Sequence, residues 1–306
     1  MDELNPLARA PRWLIEMVRQ AKTKSDPAVH RSVREQLVRF GLNTVCDGAS
    51  CPNRGNCFSR GTATFMILGD TCTRNCTFCA VNHGRPPEVD LEEPLRLKAA
   101  VEYLGLTHVV VTSVTRDDLP DGGADQFAKV IEELHTIKHH PAVEVLTPNF
   151  SGSSTALNTV LAAGPEVFSH NVETVPRLYP TVRPAAQYRR SLGLLAKAVK
   201  TARSGTVVKT GLMLGMGEER GEVEAVLKDL RASGITMLTI GQYLAPSVWH
   251  HPVSRYVTPE EFNEWACLAR NMGFKSVASG PLVRSSYHAA DYYREMQAGG
   301  DSMAVD

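Results

Sequence analysis

Three cysteines fall within eight residues of this 306-residue chain, in TCTRNCTFC, as Cys72, Cys76 and Cys79. A second run just upstream, CDGASCPNRGNC, supplies Cys46, Cys51 and Cys57. Six of the seven cysteines therefore sit in a 34-residue window, where even spacing would put about one. Thiolates are soft ligands, and three on one short loop can bind three corners of an iron–sulfur cube. Zinc is the alternative chemistry. A structural zinc closes with four ligands, and His83, four residues beyond Cys79, could be the fourth. Zinc fingers, however, usually carry two separated ligand pairs, and three residues separate Cys72 from Cys76 where two are more usual.

Composition narrows the setting of this chemistry. Hydrophobic content of 43% and charged content of 22% are those of a soluble globular protein. Lys plus Arg and Asp plus Glu both total 33, which argues against broad attraction to nucleic acid or membrane. No apolar run approaches the roughly 18 residues of a membrane span. The first residues, MDELNPLARAPRWLIEMVRQ, lack the basic start, apolar middle and small-residue cleavage site of a secretory signal. The expected location is the cytoplasm, where thiols serve as ligands or catalysts rather than disulfides.

The elements that must position the thiols follow a rhythm. Trp13, Leu14 and Val18 have helical spacing, as do Val33, Leu37 and Phe40. Apolar, β-branched runs then recur at 62–69, 108–114, 142–148, 167–173, 207–214 and 237–244. Between them lie amphipathic stretches such as DQFAKVIEELHTI, SLGLLAKAVKTA, GEVEAVLKDLRAS and PEEFNEWACLARNMG. Strands alternating with helices imply a parallel sheet of βαβ units. Six repeats predict an α/β fold, a partial (β/α)6 TIM-like barrel, with a doubly wound sheet as the alternative. Ser113, Asn149, His170, Asn171, Glu173 and Gln242 gather at strand C-terminal ends, the ligand-binding edge of such sheets. The Cys72–Cys79 loop follows the first of these strands directly and so belongs at the barrel mouth.

CxxxCxxC after the first strand, with Phe78 before the last cysteine, resembles the radical S-adenosylmethionine superfamily. The resemblance implies a [4Fe–4S] cluster on Cys72, Cys76 and Cys79 with one iron left open to chelate S-adenosylmethionine. One-electron reduction would then release a 5′-deoxyadenosyl radical. The stretch from Thr44 to Val81 and the segment GPLVRSSY (280–287) further resemble the lipoyl synthase family. There Cys46-x4-Cys51-x5-Cys57 is the auxiliary-cluster motif, and a serine of RSSY is its fourth ligand, carried here to Ser286 with Ser285 as fallback. An oxygen ligand is weaker than thiolate toward a soft metal, which suits a second [4Fe–4S] cluster that must be opened to give up sulfur. Small departures occur at Asp47-Gly48, at Asn56 and Phe58, and before Pro11, and none removes a ligand.

The same resemblance implies cofactor contacts from Asn171 and Glu173, whose amide and carboxylate suit ribose hydroxyls and an ammonium. Gly215 and Gly217 would let the backbone approach adenine, and Lys209 would meet a carboxylate or cap its strand. The aspartates of SVTRDDLPDGGADQF (113–127) divide between a cofactor-proximal segment and a polar loop with a helix N-cap, and Arg177 and Arg183 between ligand and surface. His139, His140, His250 and His251 read as surface or structural, and Cys267 as a small buried apolar residue. Residues 1–60 read as an N-terminal extension with the auxiliary cysteines, 61–275 as the barrel, and 276–306 as a C-terminal extension with RSSY. The implied activity is insertion of two sulfur atoms, drawn from the auxiliary cluster, at C6 and C8 of a protein-bound octanoyl-lysine. Implied partners are octanoylated carrier domains (the 2-oxoacid dehydrogenase acyltransferase subunit and the glycine cleavage H protein), a flavodoxin- or ferredoxin-type reductant, and iron–sulfur carrier proteins. A biotin-synthase-like or methylthio-transferring radical enzyme would share the triad without the upstream motif and RSSY, and the non-enzyme rival is a zinc-stabilised β/α binding module.

Overall fold

A computed structural model of the chain describes residues 10–23, 27–45, 53, 57 and 64–297. Cys46 and Cys51 lie outside the described residues. Helices α1 (Arg12–Thr23) and α2 (Pro27–Arg39) precede strands β1 (Asn43–Thr44) and β2 (Thr64–Ile67). Two short strands, β3 (Thr71–Cys72) and β4 (Asn82–His83), pair with each other on the thiol loop. The repeat then runs α3 (Glu93–Leu104), β5 (His108–Ser113), α4 (Ala124–His135), β6 (Ala142–Leu146), α5 (Ser154–Ala163) and β7 (Val167–Ser169). It continues through α6 (Tyr179–Val182), α7 (Tyr188–Thr201), β8 (Val207–Leu214), α8 (Arg220–Ala232), β9 (Met237–Gln242), α9 (Pro259–Asn271), β10 (Ser276–Gly280) and α10 (Ala289–Gln297).

Local chemistry sets several of these boundaries. The Ser153 hydroxyl accepts from the Ala156 N–H at the start of α5, and Thr258 does the same for Glu261 ahead of Pro259 in α9. Each helix then buries one apolar stripe: Phe127, Val130, Ile131 and Leu134 of α4 are all fully covered. Burial of each such side chain contributes roughly 1.5–3 kcal/mol.

The sheet order is β1-β2-β5-β6-β7-β8-β9-β10, parallel throughout except for β1, which runs antiparallel to β2. Every expected strand is present, and among the described residues the end strands β1 and β10 do not pair with each other, as in a partial barrel. The sequence did not announce β10. Its residues, SVASG, are small and lack an apolar run, yet they pair in parallel with β9 from Ser276↔Met237 to Gly280↔Gly241. Gly241 is required there, since a Cβ would stand 2.2 Å from the Val283 carbonyl oxygen of the returning chain.

Helix α1 and the segment after β10 pack together. Leu14 and Val18 of α1 are buried with Leu244, Tyr256 and Leu282. The Asn53 side chain, four residues before Cys57, donates to the Leu282 carbonyl at 2.6 Å. The upstream cysteine run thus meets the segment that carries RSSY. Cys267 corrects an expectation: it is exposed. Phe262, Trp265, Ala266 and Ala269 occupy the buried stripe of α9, at i, i+3, i+4 and i+7, and leave position 267 facing solvent.

Candidate active site

The thiol loop is tied down by its own polar residues. The Arg74 guanidinium, 6% exposed, grips both oxygens of Asp117 at 2.6 and 2.7 Å and reaches Asn149 Oδ1 at 2.9 Å. Arg74 holds the Asp117 carboxyl below the usual carboxylate range. Thr73 donates through its hydroxyl to the Thr115 carbonyl and accepts from the Asp117 N–H. Thr77 bonds Thr181 and Val182. Across the mouth, the His250 ring donates to the Cys79 carbonyl at 3.2 Å, and the His251 N–H donates to the Thr77 carbonyl at 2.8 Å. This pair of histidines is structural, as the sequence suggested.

Backbone amides already face one sulfur. The N–H groups of Thr115 and Arg74 donate to Cys72 Sγ at 3.3 and 3.4 Å. Burial pushes the Cys76 thiol up despite nearby Arg183, and pushes Cys79 up to about 11. Among the described residues no three histidine, cysteine or carboxylate side chains converge on a point, as a single-ion site would require. The three thiols instead stand around one cavity of about 550 Å³.

Asn171, Glu173 and Arg183 line the same cavity, as do Ser285 and Ser286. Glu173 occupies a left-handed backbone conformation (φ 65°), unusual for glutamate, fixed by its N–H to the Gly211 carbonyl and by its own carbonyl accepting from Met213. Desolvation raises its carboxyl against the pull of Arg183. Arg183 donates to the carbonyls of Asn171 and Val172. His170 lines the cavity as a neutral ring, its pKa driven down to about 3 by burial and then by Arg183. Its Nδ1–H donates to the Thr147 carbonyl, so Nε2 accepts from Ser191.

Five buried polar atoms around the cavity have no partner among the described residues: Ser113 Oγ, Thr147 Oγ1, Asn149 Nδ2, Asn171 Oδ1 and Arg183 Nε. Buried polar groups are nearly always hydrogen-bonded, so a cavity ringed by orphans is shaped for a polar ligand. Three thiols at its mouth and mixed donors and acceptors in its wall fit an iron–sulfur cluster with S-adenosylmethionine.

Other expected residues take different places. The Lys209 ammonium is 1% exposed and paired with Glu144 at 2.8 Å, and it donates to the Ser285 carbonyl. Gly215 (φ 99°) and Gly217 (φ 106°) do not line the cavity. A Cβ on Gly215 would meet Gln242 at 2.2 Å and the Arg255 carbonyl at 2.5 Å, so its absence serves close packing. Gln242 turns to staple backbone, donating to the carbonyls of Leu214, Tyr243 and Arg255 and accepting from the Val257 N–H. Asp118 pairs with Arg116, and Arg177 with Glu222 at the surface. Sequence reasoning missed Arg74, although an arginine inside the thiol loop was the available signal.

At the RSSY segment the two serines differ. Ser285 Oγ accepts from Asn171 Nδ2 at 2.6 Å. Among the described residues the Ser286 hydroxyl has no hydrogen-bond partner, and it lines the cavity.

Comparison with known proteins agrees with this geometry. Residues 66–230 match the radical SAM superfamily. The chain is 52% identical to the lipoyl synthase of Nitrosococcus oceani over 96% of its length and 88% of that protein's. It is 58% identical to the lipoyl synthase of Caldanaerobacter subterraneus subsp. tengcongensis, covering 83% of this chain and 88% of the relative. In fold it resembles Streptococcus suis SuiB bound to precursor peptide SuiA (TM-score 0.57, 9% identity, 82% of this chain, 52% of that one). It also resembles HydG, a maturase of the [FeFe]-hydrogenase (TM-score 0.54, 14% identity, 92% and 77%).

Proposed function

The chain belongs to the lipoyl synthase family of the radical S-adenosylmethionine superfamily, and from that premise we propose how its cavity works. The reaction is insertion of two sulfur atoms, at C6 and C8, into a protein-bound octanoyl-lysine. Its substrates are therefore lipoyl carrier proteins. The observation that carries the site reading is that Cys72, Cys76, Cys79, Asn171, Glu173 and Ser286, spread over 215 positions of sequence, line one cavity.

Unactivated C–H bonds offer no acid–base handle, so the hard step belongs to a cofactor. When bound, a [4Fe–4S] cluster with one open iron supplies the electron that splits S-adenosylmethionine to methionine and a 5′-deoxyadenosyl radical. The protein's part is positioning. Cys72, Cys76 and Cys79 would hold that cluster, as three thiols around one cavity. Arg74 and Asp117 fix the loop. Glu173 and the unpartnered Asn171 Oδ1 would accept from the ammonium and hydroxyls of S-adenosylmethionine, and the unpartnered Arg183 Nε would meet its carboxylate. The apolar wall around Leu212, Met213 and Tyr243 keeps water from the radical and accepts an acyl chain.

The sulfur donor is a second cluster, consumed as substrate and held by Cys46, Cys51, Cys57 and Ser286. By this reading the upstream cysteine run and the RSSY segment together complete its site, a reading supported by the Asn53–Leu282 bond. Lys209 supports the serine segment here instead of a cofactor. Carrier domains of the 2-oxoacid dehydrogenase acyltransferase and the glycine cleavage H protein supply the octanoyl-lysine. A flavodoxin or ferredoxin supplies electrons, and iron–sulfur carriers rebuild the donor. No helix among the described residues is long and apolar enough to cross a membrane.

The test is anaerobic incubation of the reconstituted protein with an octanoyl-lysine peptide, S-adenosylmethionine and reductant, followed by mass spectrometry. The expected product carries two added sulfurs, and a colourless zinc protein without acid-labile sulfide would sink the proposal.

A further inference from the structure

The interior of the barrel contains an ion pair that the reaction does not use. Glu144 of β6 is 0% exposed and Lys209 of β8 is 1% exposed, with Nζ 2.8 Å from Oε1. His108 of β5 stands 3.5 Å from the other oxygen of Glu144, and its ring lies tilted against Tyr293 of α10, centroids 5.8 Å apart. Burying two charges carries a large desolvation penalty, which their attraction offsets only with good geometry and further hydrogen bonds. The further bond here is informative: the Lys209 ammonium donates to the backbone carbonyl of Ser285. A charge-assisted bond to a carbonyl is stronger than a neutral one.

Two more contacts converge on the same stretch. Asn171 Nδ2 donates to Ser285 Oγ at 2.6 Å, and the missing side chain of Gly241 lets Val283 press onto β9. Ser285 is thus gripped through both its hydroxyl and its carbonyl, from β8 and from the end of β7. Among the described residues the adjacent Ser286 hydroxyl has no partner, and it stands at the cavity wall. We infer that Lys209, held by Glu144, is a positioning residue that anchors the Ser285 carbonyl and thereby presents Ser286 to the sulfur-donor cluster. This rests on the proposed reading of Ser286 as a ligand of that cluster. Lys209 acts through the serine segment and touches no reacting atom.

The single change Lys209→Met leaves Glu144 in the interior with only the His108 ring beside it and is expected to lower the melting temperature. The double variant Glu144→Leu/Lys209→Met removes both charges together, a replacement that buried ion pairs often tolerate, and so separates the anchor from folding. Expected of the reconstituted double variant is a loss of about half its iron and acid-labile sulfide, with the Mössbauer signal of the Cys72–Cys79 cluster retained. Formation of 5′-deoxyadenosine continues, while sulfur-inserted product falls at least about tenfold. A second readout needs no cluster: in the as-purified chain, trypsin should cut after Arg284 faster in the double variant than in wild type. Full iron, two-cluster Mössbauer spectra and wild-type resistance at Arg284 in a folded double variant would overturn the anchor.

Ser286→Ala is run beside it. If Ser286→Ala loses the donor-cluster signal and the double variant keeps it, the anchor alone falls. Should Ser286→Ala keep that signal, the ligand reading fails and takes the inference with it.

Discussion

The thiol loop is held through an ion pair whose carboxylate solvent still reaches, whereas the serine segment is gripped from within the barrel. Asp117, which holds Arg74, is 35% exposed, while both members of the pair behind Ser285 are fully covered. Both walls face one cavity, yet one is fixed by a pair with a partly exposed, partly screened carboxylate and the other by two covered charges in a low dielectric. The difference suits the assigned roles. A catalytic cluster that stays in place needs an ordered loop at the mouth. A donor that is opened and rebuilt needs a ligand weak in itself and rigid in its setting.

The largest effect should come from the thiols themselves. Cys76→Ala is expected to reduce 5′-deoxyadenosine formation to background, measured by chromatography of quenched reactions. Cys57→Ala should spare cleavage and lose sulfur insertion, and if Cys57→Ala instead lost both, the two-wall distinction would weaken. Next in size is Arg74→Ala. Hydrogen bonds to charged partners are worth about 1.5–3 kcal/mol, so cleavage should slow by roughly 10- to 100-fold. Arg74→Lys keeps the charge without the fork and should fall between. The loss in Arg74→Lys should grow with salt, since the Asp117 carboxylate is 35% exposed; salt-independence would mean that the covered guanidinium governs the contact.

A smaller and purely chemical effect concerns the cluster-free chain. Burial lifts Cys79 to about 11 and Cys76 above its ordinary value. At pH 7.5 only about one Cys79 in several thousand is thiolate. Alkylation by iodoacetamide should therefore label exposed Cys267 well before Cys79, and the Cys79 rate should climb about tenfold per pH unit until the pH nears 11. Peptide mass spectrometry over a pH series checks this. By the same sign, ligation releases protons, so cluster uptake should improve as pH rises.

Much of this was legible in the residues. CxxxCxxC is contiguous, and its chemistry follows from ligand softness and spacing. β2 and β5 to β9 announced themselves through β-branched runs, while the two-residue strands β1, β3 and β4 are too short to show one; Asn171 and Glu173 stood out by their place at a strand end. The remainder depends on pairings made only by folding. Arg74 meets a carboxylate 43 positions away, and Lys209 meets Ser285 across 76. A buried lysine reads in sequence like any strand-end lysine, so the cofactor role implied for Lys209 gave way to one in the interior. β10 was hidden because SVASG packs closely by being small, which leaves no apolar signal. Cys267 was placed inside because cysteines usually are, but the stripe of α9 had already been filled by four other residues.

The central claim is that the two walls have separable functions. The most direct measurement follows 5′-deoxyadenosine and sulfur-inserted peptide together, under single-turnover conditions, in Ser286→Ala and wild type. The account predicts that Ser286→Ala continues to cleave S-adenosylmethionine at a rate close to wild type and yields no peptide with two added sulfurs. Wild-type sulfur insertion by Ser286→Ala, or loss of both products together, would contradict it.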